Sequence, residues 1–160
     1  MAHVMKVDEE VQFYYFNATP VGSGADNKNL ADVQLVRFFL REFFLHHPDL
    51  FKLVPKLTKD TGTIAIDGKV GGQTIKAIEM FQRHYPRFLI LDGRVSVAVS
   101  KYVPETNNEK GFTIVALNQW FFGRNGNARW NGRLRQHPLI RSAPILLHQI
   151  TYGEVNANIG

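Results

Sequence analysis

The sequence predicts a mainly α protein, a small helical bundle with an N-terminal extended arm and a C-terminal helical extension, and three observations predict it. Apolar residues recur at helical spacing over 30–46 and over 73–85. Tight-turn dipeptides separate the periodic runs. The chain of 160 residues is 44% hydrophobic, enough for a packed core. The division this suggests is an arm and loop over 1–29, a central unit over 30–103 and an extension over 104–160.

Residues 11–16, Val-Gln-Phe-Tyr-Tyr-Phe, read as a strand or extended arm, and 20–28, with Gly22, Ser23, Gly24 and Asn27, as a loop. Asn29 or Asp26 can then cap a helix over 30–46. Its apolar residues, from Leu30 and Val33 through Phe38 and Phe39 to Phe43 and Leu45, cover more than one face, which predicts burial on several sides. The arm or the extension is therefore expected on its outer face. Pro48 ends this helix, and 49–57 can form a short second one before a loop at 58–63.

Residues 67–82, Asp-Gly-Lys-Val-Gly-Gly-Gln-Thr-Ile-Lys-Ala-Ile-Glu-Met-Phe-Gln, run a tight turn into a helix. Gly68 and Gly71 suit positive φ, and Asp67 can accept from the amides of the turn. Thr74 sits at the helix opening, where its hydroxyl can satisfy a free amide. Ile75, Ile78 and Phe81 recur at helical spacing until Pro86, and are expected to pack on Val36, Leu40 and Phe43. Leu91-Asp92-Gly93-Arg94-Val95 repeats the pattern of residues 66–70 at a distance of 25 residues. Beyond it, 96–103 suits a short closing helix or an extended segment, and 107–111 a linker. A helix over 112–122 is ended by a turn at 123–126, and a final helix spans 142–151 with Pro144 in its first turn.

Asp67, Gly68, Val70, Gly71, Thr74, Ala77, Ile78, Phe81 and Gln82 together resemble the motif of the small three-helix peptidoglycan-binding domain of bacterial cell-wall hydrolases. Asp32 and Val33 match the opening of that family's first helix, so the likeness covers about residues 30–103. Gly72 stands where the family commonly has Pro, Val70 where it has Phe, and the segment 45–63 is longer. The resemblance implies a bundle of the peptidoglycan-binding type and a non-catalytic bacterial module that holds a partner activity against murein. In that setting the motif residues serve mainly folding.

Charge is divided unevenly. Residues 1–109 hold 13 Lys or Arg and 13 Asp or Glu, whereas 110–160 hold six basic residues against Glu154 alone, so the whole net charge of +5 lies there. Arg124, Arg129, Arg133, Arg135 and Arg141 accompany Trp120 and Trp130. Trp120, in an apolar helix, is expected in the core, and Trp130 is expected exposed. An indole stacks on sugar rings or bases while arginines hold carboxylates or phosphates, which makes Trp130, Arg124, Arg129, Arg133 and Arg135 the ligand-binding candidates. Peptidoglycan or a protein partner are the expected ligands, the latter through the apolar first helix or the basic loop. Nucleic acid is the weaker expectation.

Other chemistries lack their constellations. Cysteine is absent, so disulfides and thiolate sites are excluded. His46 and His47 are adjacent and point about 100° apart on a helix. His84, His137 and His148 have no partner at metal spacing, and read as surface or cap histidines. No carboxylate pair stands out among Glu9, Glu10, Glu42 and Glu79, and no Gly-x-Ser-x-Gly elbow or phosphate loop occurs. The expectation is no enzyme, no metal and no cofactor. No apolar run approaches the ~20 residues of a membrane span, and Asp8, Glu9 and Glu10 fall where a signal peptide needs its apolar segment. A wall-binding chain of this kind would leave the cytoplasm by a route other than general export, as in phage lysis or contractile secretion.

Overall fold

A computed structural model describes residues 3–8, 12–51, 69–85, 89–98, 111–124, 130 and 133–159. Helices dominate among them, and one helix organises the rest. This is α1 (Leu30–Leu45), capped as the sequence suggests: Asn29 accepts from the Asp32 amide at 3.1 Å. Ala31 to Leu40, Phe43 and Phe44 are all buried, so every face of the helix is covered. Asp32 turns its buried carboxylate toward the preceding chain, accepting from the amides of Ala18 and Thr19 and the Thr19 hydroxyl, and thereby ties that segment to the start of the helix.

The N-terminal arm proves to be a hairpin. β1 (His3–Asp8) pairs antiparallel with β2 (Gln12–Phe16), in a register that sets Val4 opposite Tyr15, with an irregularity between Lys6 and Asp8. The other edge of β2 is closed by a side chain. Asn118 accepts from the Tyr15 amide at 2.8 Å and donates to the Tyr15 carbonyl at 2.9 Å, as a neighbouring strand would. Phe13, Tyr14, Tyr15 and Phe16 are buried. The predicted loop that follows contains a two-residue strand, β3 (Val21–Gly22), paired with β4 (Arg94–Val95).

After the short α2 (Pro48–Phe51) the next helix among the described residues is α3 (Gly72–His84). Ile78 and Phe81 are buried, and the Phe81 ring meets Phe43 of α1 at 4.9 Å, as their spacing predicts. Ile75 departs from the expectation. It is half-buried and lies against the Gly93 turn, because its position on the helix turns it away from α1. The helix ends before Pro86 with Tyr85 extended, the conformation a following proline favours.

The helix that follows the second Asp-Gly turn is α4 (Thr113–Arg124); residues 96–98 are not helical, and 99–103 lie outside the described residues. Its opening, Thr113-Ile114-Val115-Ala116-Leu117, repeats Thr74-Ile75-Lys76-Ala77-Ile78 of α3. Trp120 is buried against Phe43, as expected. A 3-10 turn (Leu134–Gln136), the short α5 (Pro138–Arg141) and α6 (Pro144–Ile159) complete the fold. α6 is longer than its predicted span. It packs on α1 and on β1, where Gly153 lets the strand approach: a Cβ there would lie 2.8 Å from Val4 Cγ2. One hydrophobic core thus joins the hairpin, α1, α3, α4 and α6, and the outer face of α1 is covered from both ends of the chain, as its composition requires. No helix among the described residues is long and apolar enough to cross a membrane.

Candidate functional site

The motif residues divide sharply by role. Asp67 and Gly68 lie outside the described residues. Gly71 does not take positive φ; it is the extended residue before α3, at φ −124°, and a side chain there would meet nothing within 4 Å. Thr74 does not cap its own helix. Its hydroxyl is turned inward, where it accepts from Arg37 Nη1 at 2.6 Å, and the same guanidinium nitrogen donates to the Lys69 carbonyl at 2.8 Å. Arg37 is itself buried in α1, so the interior guanidinium claims the threonine before the helix terminus can.

Gln82 is the best connected of the set. Its Oε1 accepts from the amides of Asp92 and Gly93 at 3.2 and 3.0 Å. Its Nε2 donates to Asp92 Oδ1, the Arg94 carbonyl and Thr113 Oγ1 at 3.0 to 3.1 Å. Gly93 sits at φ +67°, and Asp92 Oδ1 also accepts from the Arg94 amide, so the turn has the geometry its Asp-Gly pair predicts. One buried side-chain amide therefore joins the end of α3, the second Asp-Gly turn and the start of α4.

The basic candidates are less uniform than their sequence. Arg129 lies outside the described residues, as does the Arg124 side chain, and Arg133 is exposed. Arg135 is engaged: its Nη1 lies 3.4 Å from Oε2 of Glu154, a carboxylate with 1% exposure. Glu154 also accepts from the Tyr15 hydroxyl at 2.7 Å, so the one acidic residue of 110–160 holds α6, the hairpin and the 3-10 turn together. Trp130 corrects another expectation. It is half-buried, packed on the core with its ring 5.0 Å from that of His137, because the 3-10 turn and α5 fold back over α1 and carry it inward. His137 caps α5 by accepting from the Leu139 amide, and its Nε2 lies 3.8 Å from Glu42 Oε1.

Burial pushes the Glu154 carboxyl above its usual range, against the opposing pull of Tyr15 and Arg135. Burial, reinforced by the Glu154 charge, holds the Tyr15 phenol well above its ordinary value, so it stays a neutral donor. Burial also raises Glu42, opposed by His46 and Arg41. A carboxyl raised in the folded state binds more protons there than in the unfolded chain. Its contribution to stability is therefore full at acid pH and declines as pH rises from the ordinary carboxylate value through the raised one. We expect Glu154→Gln to shrink that decline in stability measured by denaturant titration over this window, leaving the share due to Glu42. An unchanged slope would show that Glu154 titrates alike in both states.

Sequence reasoning missed two residues here: Glu154 was visible as a lone acid in a helix with no other formal charge, and Asn118 as an amide amid an apolar helical run. His137 is a cap, one of the two roles its sequence reading allows, and it precedes the proline that opens α5. Among the described residues no three His, Asp or Glu side chains gather to hold a metal ion. The chain was compared with family models, with curated proteins and with solved structures, and none of the three yields a match.

Proposed function

We propose that the chain is a non-catalytic module that binds peptidoglycan. The single observation that carries the reading is the Gln82 network. Through it the Phe81-Gln82 pair, part of the motif by which the sequence resembles the wall-binding family, is tied to the Asp92-Gly93 turn and to the opening of α4. Residues for ligand contact are Trp130, through the part of its ring left open, and the arginines of 124–133. Arg135 serves the fold through Glu154 and is a poorer contact. The alternative of a protein partner docking on the first helix loses its surface, since α1 is covered on all faces.

Sedimentation with purified murein sacculi tests the reading. Saturable binding that weakens through the physiological salt range, where the Debye length is about 8 Å, is the expected result. Replacing Arg124, Arg129 and Arg133 together with alanine should remove most of that salt dependence and leave the fold intact, since Arg135 is kept. The protein should release no muropeptides. Failure to sediment at low salt would end the proposal, and preferential binding to DNA or RNA would replace it with a nucleic-acid function.

A further inference from the structure

The rule that accounts for α1 leaves α6 unfinished. Residues 144–155, Pro-Ile-Leu-Leu-His-Gln-Ile-Thr-Tyr-Gly-Glu-Val, have apolar side chains on every side, and a helix of that kind is expected to be enclosed. One side is: Leu146, Ile150 and Glu154 are buried, and the helix packs on α1 and β1. The opposite side is open. Ile145, Tyr152 and Val155 are 47%, 69% and 49% exposed, and His148 between them is exposed as well.

These four residues lie three, four and three positions apart, the alternation found along the seam of two helices that pack lengthwise. They form one stripe over about 15 Å of helix. The stripe also reads alike from both ends: aliphatic Ile145, aromatic His148, aromatic Tyr152 and aliphatic Val155, centred on Ile150. A two-fold axis beside Ile150 therefore sets Ile145 against Val155 of an antiparallel second copy and His148 against Tyr152 of that copy. A contact between identical surfaces requires this self-complementarity.

Charge agrees with the pattern. The chain carries +5, yet residues 142–160 contain no Lys or Arg, and their one acid, Glu154, is buried and engaged by Tyr15 and Arg135. Gln149, Thr151 and Asn156, which flank the stripe, are uncharged, so two copies meet there without a like-charge pair. The exposed Arg141, just ahead of α6, falls in the antiparallel arrangement toward the end of the second copy's α6 at Ile159, the negative end of that helix.

We propose that the open face of α6 is a self-association surface, on which a second copy of this chain docks its own α6 antiparallel about an axis at Ile150. A standard stable interface covers about 800 Å² on each partner, and a four-residue seam on one helix covers less. The pair is therefore weak and forms at high local concentration. It is independent of what the chain binds, and its test uses no ligand.

Sedimentation equilibrium of the full chain between about 10 μM and about 1 mM should show monomer and dimer in exchange. Because the seam is uncharged and both copies are cationic, association should hold or strengthen as salt rises. Ile145→Glu and Val155→Lys each alter an exposed position and each suit their end of the helix dipole, so the fold should keep its circular dichroism and melting temperature. Either one alone should weaken association by about tenfold or more, and an equimolar mixture should recover it, since the antiparallel seam brings the new carboxylate to the new ammonium. Cysteine is absent, so His148→Cys and Tyr152→Cys report the register: mixed, they should form an intermolecular disulfide faster than either does alone. A monomer throughout the range, association abolished by salt, charge variants that associate like the parent, or mixtures that behave as their components would each overturn the proposal. So would flotation of a monomeric chain with phosphatidylcholine vesicles that is lost in Val155→Lys, which would give the face to a lipid surface instead.

Discussion

Phe81→Ala should lower stability by about 3 to 5 kcal/mol in a denaturant titration, the range for emptying a fully buried aromatic site. The ring has no exposed surface, stacks on Tyr85 at 5.2 Å and meets Phe43 at 4.9 Å, so its loss opens a cavity between α1 and α3. Collapse into the cavity is restricted, because Phe43 is itself held by Trp120 at 5.3 Å and by the stacked His47 ring at 4.2 Å. Phe81→Leu should recover more than half of the loss. A deficit under 1 kcal/mol would mean that the two helices do not share this core, and the unit on which the wall-binding reading rests would dissolve with it.

The second large effect is expected one residue on. Gln82→Glu keeps the acceptor facing the amides of Asp92 and Gly93. It replaces the donor that serves Asp92 Oδ1, the Arg94 carbonyl and Thr113 Oγ1 with a charged oxygen facing a carboxylate and a carbonyl in a buried place. A buried charge set against other acceptors costs more than a neutral orphan, so the loss should be on the order of 4 kcal/mol at neutral pH. The introduced carboxyl would have its pKa raised by burial and by Asp92. The folded variant therefore binds more protons than the unfolded one, and the deficit relative to Gln82 should shrink as pH falls. A deficit that is small, or that grows in acid, would place the turn outside the control of this side chain.

α1 and α3 were legible in the sequence because their signals are local: an Asn cap, apolar residues at helical spacing and a proline at or just past each end. The covering of α1 from both ends of the chain was legible too, since a helix apolar on all faces has to be enclosed. What escaped depends on distant partners. β1 has a weak alternation, and its acidic end suits a loop as well as a strand; it is a strand because β2 and α6 lie beside it. α6 continues past its predicted span although glycine and asparagine disfavour helix, because Gly153 is required by the approach of Val4. Thr74 looked like a cap for want of knowing that Arg37 lies buried across from it. Of the candidate site, the Phe-Gln pair and the second Asp-Gly turn could be read. The pairing of Arg135 with Glu154 and the packing of Trp130 against His137 could not, since those partners reach them only once the chain has folded back.

The hydrogen bond from Tyr15 to Glu154 joins residues separated by 139 positions. A chain emerging from the ribosome thus displays its aromatic hairpin long before the helix that covers it exists. Contacts so remote in sequence demand closure of a loop almost as long as the chain, which slows folding relative to a bundle built from neighbours. During synthesis, the stretch Phe-Tyr-Tyr-Phe of β2 is an uncovered, uncharged β-forming segment. The nascent protein should therefore depend on a chaperone, or on rapid translation of its last turns, to a degree that its mature helical content does not suggest.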